Sequence, residues 1–290
     1  MARRLQAAGF QILVWARSHA SAAKLEALGL RSASLEEVAS CQVLITCLRD
    51  TEAVTELFLE GTDDQLPLAD TLSSALVIDH ATYDPAVATQ LRQRLAQRGI
   101  ELVDAPVSGG PAGAEAGNLV AMVGASTTAY EQASEILQHT CAKAVHVGAA
   151  GSGLTLKLIN QHLVAVHSVA AAEAAALLRH HYIDPRIARE ALMGGWAAST
   201  RLSIQLEAST TSDYTPDGAG IDKFMPLLDL VGTAFDTAGI QSALLSGATS
   251  TYQEANTLGD DLPFAALAQP YHAQAAAHRQ PRTPDEGQTA

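Results

Sequence analysis

Lys157 and Asn160 stand one helical turn apart in the stretch Gly151-Ser-Gly-Leu-Thr-Leu-Lys157-Leu-Ile-Asn160-Gln161, and an amine beside an amide can move a proton and hold an oxygen. On a helix Lys157, Asn160, Gln161 and Val164 fall at i, i+3, i+4 and i+7, so one stripe carries an ammonium, two amides and an apolar seat. Taken alone, a helical lysine is usually a solvated one, and Asn160 could equally be a packing amide. The segment Asp104-Ala-Pro-Val-Ser108-Gly109-Gly110-Pro111-Ala-Gly113 shifts that balance. A serine followed by two glycines can turn backbone N–H groups toward an anion, which suits a carboxylate, although the same letters also describe an ordinary tight turn. A carboxylate grip and a desolvated amine are what hydride removal from a hydroxy acid requires. The carbinol proton must leave with the hydride, and a lysine amine can accept it or return it in the reverse direction.

Positioning these groups calls for strands that end where they begin. Short apolar runs at Gln11–Trp15, Gln42–Thr46, Ala75–Asp79 and Ile100–Asp104 alternate with helical patterns at Ala20–Leu28, a short helix led by Ser34, Glu52–Leu59 and Pro85–Arg98. That rhythm predicts a doubly wound parallel sheet of Rossmann type, covered on both faces, with ligands at the carboxyl ends of the strands. Leu119–Val123 and Ala144–Val147 add two strands around a helix at Ser126–His139, and Met1–Ala8 reads as the end of a helix stopped by Gly9. Past residue 150 the pattern is all helical: a long helix from Leu154 to about His181, then Pro185–Met193, Thr200–Glu207, Lys223–Ala238 and Gln241–Leu258. The expected division is therefore 1–149, an α/β dinucleotide-binding domain, and 150–270, an all-α substrate and dimerisation domain. Residues 271–290 form a tail, unstructured at least from His278. The Ser/Thr/Asp/Gly-rich run Ala208–Gly220 reads as a lid or subunit-contact loop.

Arg17 and Ser18 follow the first of these strands, where dinucleotide folds choose between a bare ribose and its 2′-phosphate. An arginine with no acidic residue favours NADP over NAD, unless Arg17 is merely solvated.

A 290-residue chain with net charge -13 and no basic run argues against nucleic acid or an anionic membrane and for a small-molecule ligand. Cys41, Cys47 and Cys141 are odd in number and lack C-x-x-C spacing, which points to no disulfide framework, no metal site and a reducing cytoplasm. The apolar segment Leu163–Leu178 carries His167 and Glu173 and reads as too short and polar to span a bilayer. Its alanines instead suggest a partner helix and a homodimer or homotetramer.

Taken together, Asp104-Ala-Pro-Val-Ser-Gly-Gly, Gly117-Asn-Leu and Gly151-x-Gly-x-x-x-Lys157-x-x-Asn160 resemble the β-hydroxyacid dehydrogenases, the group of 3-hydroxyisobutyrate dehydrogenase and 2-hydroxy-3-oxopropionate reductase. The resemblance covers the chain to about residue 270. It implies Lys157 as catalytic acid/base, Ser108, Gly109 and Gly110 on the substrate carboxylate with Asn160 nearby, Leu48 and Thr82 against the coenzyme, and a helical domain that closes the cleft. The family pattern opens with a strand and a G-x-G-x-x-G loop ahead of a Met-Ala step. This chain starts at Met1-Ala2, so roughly fifteen residues of that pattern, including the strand central to the sheet, have no counterpart. The expectation is that Met1 is an internal methionine or that the chain is an inactive fragment. Other departures are Leu48-Arg49 for Leu-Pro, Ala81-Thr82 for Ser-Thr, Leu228-Asp229 for Lys-Asp and Gln161 for Asn. The competing expectations are a non-catalytic dimerisation or binding module and an imine reductase on the same scaffold.

Overall fold

The computed structural model describes residues 1–61, 65–211, 215 and 220–277, and the chain divides into two compact units, Met1–Gln161 and His162–Ala290. The first unit carries eight strands among the described residues: β1 (Leu13–Val14), β2 (Arg31–Ser32), β3 (Val43–Thr46), β4 (Leu76–Asp79), β5 (Glu101–Asp104), β6 (Val107–Ser108), β7 (Leu119–Gly124) and β8 (Cys141–Gly148). Its helices are α1 (Ala2–Ala7), α2 (His19–Ala27), α3 (Leu35–Ala39), α4 (Thr51–Val54), α5 (Leu68–Thr71), α6 (Pro85–Ala96), α7 (Gly110–Ala116) and α8 (Thr127–Leu137), with α4 running on as a π-helical turn over Thr55–Glu60. Helix α9 (Ser152–His180) leads into the second unit, which holds α10 (Pro185–Met193), α11 (Thr200–Thr211), α12 (Ile221–Ala238), α13 (Leu245–Asn256), a 3₁₀ turn at Phe264–Leu267 and α14 (Ala268–Ala277).

Local signals account for most of these helices. Ser34 and Glu37 form a reciprocal capping box at α3. Ser18, Asp50, Asp84, Ser126 and Asp184 each accept a backbone N–H at the start of α2, α4, α6, α8 and α10, and such caps stabilise by about 1 kcal/mol apiece. Strand β4 is buried along its whole length, as expected of a strand covered on both faces. Full burial of Val77, Ile78 and Val103 contributes about 1.5–3 kcal/mol per side chain.

The sheet itself departs from a single parallel array. Strands β3, β4 and β5 are parallel, but β7 runs antiparallel to β5 and β6 and parallel to β8. Strands β5 and β6 form one line interrupted at Ala105–Pro106, where proline has no N–H to give, while its carbonyl still accepts from Met122 N at 3.0 Å. Strands β1 and β2 make a separate two-stranded sheet. Among the described residues no strand links β1 to β3, which is where the family pattern has its central strand. The expected strand Gln11–Trp15 accordingly shrinks to Leu13–Val14, paired on one side only.

Expectations change at two places in the helical unit, α14 and α9. Helix α14 extends to Ala277, into the stretch 271–290 taken as a tail, because Phe264–Ala268 are buried and Phe264 packs edge-to-face on Phe224 with centroids 4.9 Å apart. Tyr271 then donates to Glu173 at 3.2 Å. His278–Ala290 lies outside the described residues, as does most of the lid candidate Ala208–Gly220, whose first residues belong to α11. Finally, α9 has 29 residues and a mean hydropathy of 1.2 over its apolar window, enough by length and composition to cross a membrane. It extends beyond Leu163–Leu178 on both sides, and its small residues Ala165, Ala172 and Ala175 are buried in the core of their own unit with Phe224, Leu228 and Tyr252. Those alanines are therefore not free to receive a partner helix.

Candidate active site

Helix α9 is locked onto the sheet at its first turn. The buried Asp104 carboxylate, at the end of β5, accepts from Gly151 N at 2.6 Å and from Leu154 N at 2.8 Å. Burial pushes this carboxyl up to about 6 against the opposing pull of those N–H groups. Beside it the helix touches strand backbone directly: a Cβ on Gly153 would collide with the Met122 carbonyl and lie 2.6 Å from Asp104 O and 2.8 Å from Gly124 N. Gly153 thus serves helix–sheet contact. Gly151 has φ +99 and open space around it, so its role is the turn itself.

One helical turn on, Lys157 is only 8% exposed, and its Nζ donates to the Val107 carbonyl at 2.8 Å. Burial lowers the amine from its ordinary 10.5 to about 8, so it can exist in both protonation states near neutral pH. Val107 immediately precedes Ser108, Gly109 and Gly110, so the amine sits at the root of the serine–glycine loop. Gly109 and Gly110 have φ +132 and +64, conformations that glycine adopts freely, and Gly109 heads the short helix α7. Asn160 is half-buried and donates to Gln161 Oε1 at 3.0 Å, and Gln161 is itself 6% exposed. The polar stripe of α9 is therefore turned inward, and the solvated-lysine alternative does not hold.

Two family models match the chain. One, the NAD binding domain of 6-phosphogluconate dehydrogenase, matches residues 1–148, and a second, the NAD-binding domain of NADP-dependent 3-hydroxyisobutyrate dehydrogenase, matches 151–271. An L-threonate dehydrogenase of Cupriavidus necator is 33% identical over 81% of this chain and 78% of its own length. The chain belongs to the 3-hydroxyisobutyrate dehydrogenase-like family of NAD(P)-dependent oxidoreductases. An NAD-dependent L-serine dehydrogenase of Pseudomonas aeruginosa is 32% identical over 68% of this chain and 67% of its length. The solved 3-hydroxyisobutyrate dehydrogenase of Mycobacterium tuberculosis with L-serine superposes with a TM-score of 0.81, at 25% identity and 93% coverage of both chains.

In this dehydrogenase the strand ends that face a nicotinamide coenzyme in doubly wound folds carry Arg17 and Ser18 after β1, Leu48 after β3 and Thr82 after β4. Ser18 is spent as the α2 cap, accepting from Ser21 N at 3.1 Å. Arg17 is paired with Glu56 at 2.7 Å, so it is neither simply solvated nor uncommitted. Leu48 packs against the core beneath it, and half-buried Thr82 follows a turn held by Asp79, which accepts from Thr46 Oγ1 at 2.8 Å and from Ala81 N at 3.0 Å. Nearby, buried His80 donates through Nδ1 to the Ala105 carbonyl at 2.7 Å, and burial lowers its pKa. These strand ends are where a dinucleotide would lie in a doubly wound fold.

Sequence reasoning missed Asp104 as the anchor of α9, Asp79 as the brace under Thr82, and Glu56. Each acts through a contact distant in sequence, and the only local signal was an acidic residue closing β4 and β5. Leu228, at the place of a family lysine, is 2% exposed within the helical core, where its side chain packs and brings no charge.

Proposed function

We propose that this dehydrogenase interconverts a small β-hydroxy acid and its semialdehyde or oxo acid, with Lys157 exchanging the carbinol proton. The observation that carries the reading is the buried Nζ of Lys157 held 2.8 Å from the Val107 carbonyl, at the root of the Ser108–Gly110 loop. In this reading Ser108 and the N–H groups of Gly109 and Gly110 bind the carboxylate, and Asn160 holds the substrate oxygen one turn from the amine. Arg17, Ser18, Leu48 and Thr82 line the coenzyme. When bound, the coenzyme accepts or returns the hydride. Neutral Lys157 takes the hydroxyl proton during oxidation, and its ammonium gives one during reduction. The relatives support this substrate class, since threonate and serine each offer a carboxylate and a hydroxyl. We further propose a cytoplasmic homo-oligomer. Its contact would have to use side chains other than the buried alanines of α9, such as the exposed Leu156, Ile159 and Leu163.

A panel of 3-hydroxy acids assayed with NAD and NADP, following reduced nicotinamide by absorbance, tests the reading. Failure to turn over any acid with either coenzyme would refute it. The pH dependence follows from the lowered amine. Oxidation needs free Lys157, so kcat/KM for a hydroxy acid should climb with pH and level off above about 8. Reduction needs the ammonium and should decline over the same range. Parallel profiles in the two directions would exclude Lys157 as the proton carrier.

A further inference from the structure

The coenzyme reading leaves one interaction unexplained. Arg17, at the carboxyl end of β1, is paired at 2.7 Å with Glu56, which comes from a different βα unit, in the π-helical turn after β3. The two side chains are 74% and 37% exposed, so the pair is not there to fill the core, and an exposed pair contributes little to stability. A second carboxylate lies within electrostatic reach: Asp50, held below the ordinary range first by the Ala53 N–H and then by Arg49, also feels Arg17. The arginine therefore looks out from an acidic corner.

We propose that Glu56 sets coenzyme choice in this enzyme by occupying the arginine that a ribose 2′-phosphate would otherwise engage. In dinucleotide folds an acidic side chain accepts from the ribose hydroxyls and repels the 2′-phosphate, whereas an arginine welcomes it. The connection after β1 supplies only the arginine, and Glu56 supplies the acid from the neighbouring unit. A 2′-phosphate can reach the guanidinium only by displacing Glu56 or by sitting beside its negative charge. A bare ribose faces no such conflict and gains an acceptor. Arg17 alone favours NADP; with Glu56 opposite, that preference is blunted or reversed.

This inference rests on the coenzyme reading above, and the test separates the two. NADPH and NADH are titrated calorimetrically into the 290-residue protein and its Glu56→Gln variant, with Arg17→Gln as a third protein. Glu56→Gln should tighten NADPH by about three- to tenfold and leave NADH unchanged or weaker. Arg17→Gln should weaken NADPH selectively. Equal shifts for the two coenzymes in Glu56→Gln, or no shift at all, overturn the proposal while the coenzyme reading stands. If neither coenzyme binds any of the three proteins, both ideas fail.

Discussion

Lys157→Met is expected to lose about two to four orders of magnitude in turnover, the usual contribution of a positioned acid–base group, while gaining stability at neutral pH. The gain follows from the amine's environment. Burial lowers Lys157 from 10.5 to about 8, so the folded state penalises the charged form. For a base whose pKa is depressed by folding, that penalty is fully felt below about 8 and disappears above the unfolded value. At pH 7 it amounts to at most about 3 kcal/mol, offset by about 1 kcal/mol for the lost hydrogen bond to Val107 O. Methionine has nearly the same shape and no charge to desolvate. Melting curves of both proteins at pH 7 and pH 10.5, alongside kcat/KM, check this. The variant should melt higher at pH 7, with the advantage fading at pH 10.5. Near wild-type turnover, or a lower melting temperature at pH 7, would contradict the account of Lys157 as a buried, destabilising and catalytic amine.

Gly153→Ala should be a severely damaging small substitution in the first unit. Its methyl would meet the Met122 carbonyl, Asp104 O and Gly124 N, all backbone atoms of β7 and β5 or residues at their ends. None can swing aside as a side-chain tip would. Relief requires α9 to lift from the sheet, which costs about 3 kcal/mol or more and moves Lys157 relative to the Ser108 loop. Gly151→Ala is the informative partner, because nothing lies within 4 Å of its added Cβ and only φ +99 opposes it. It should cost about 1–2 kcal/mol. Urea denaturation of the two variants gives the ordering directly, and equal losses would show that α9 and the strands are not in the backbone contact described.

The sequence made the two halves of the site legible because each is written locally. Helical spacing brought Lys157, Asn160 and Gln161 onto one stripe, and Ser108-Gly109-Gly110 announced a turn that only glycines make easily. The dependence of one half on the other was not legible. Asp104 reaches Gly151 and Leu154 across 47 and 50 positions, and no local pattern encodes such a contact. Helix α7 went unread because Gly110-Pro111 and Gly113 look like turn residues, yet proline fits a first helical turn. Helix α14 has a weak apolar period and forms because Phe264–Ala268 are anchored before it. The antiparallel placement of β7 was invisible for a related reason: its direction shows only in its pairing with β5 and β6, across the connection that α7 fills.

The isolation of β1 and β2 bears on how fast their amides exchange. Among the described residues this ribbon makes no backbone ladder to the larger sheet, and side chains such as Leu13 and Trp15 pack it against the core of the first unit. Two short strands are marginal by themselves, so their amides should trade protons with solvent far sooner than those of β4, whose ladder is doubled. Deuterium uptake followed by mass spectrometry should display that contrast, and similar uptake rates would refute it. Arg17 follows this ribbon and reaches Glu56 in the π-helical turn after β3, so that pair is a side-chain bridge between the ribbon and the segment after β3.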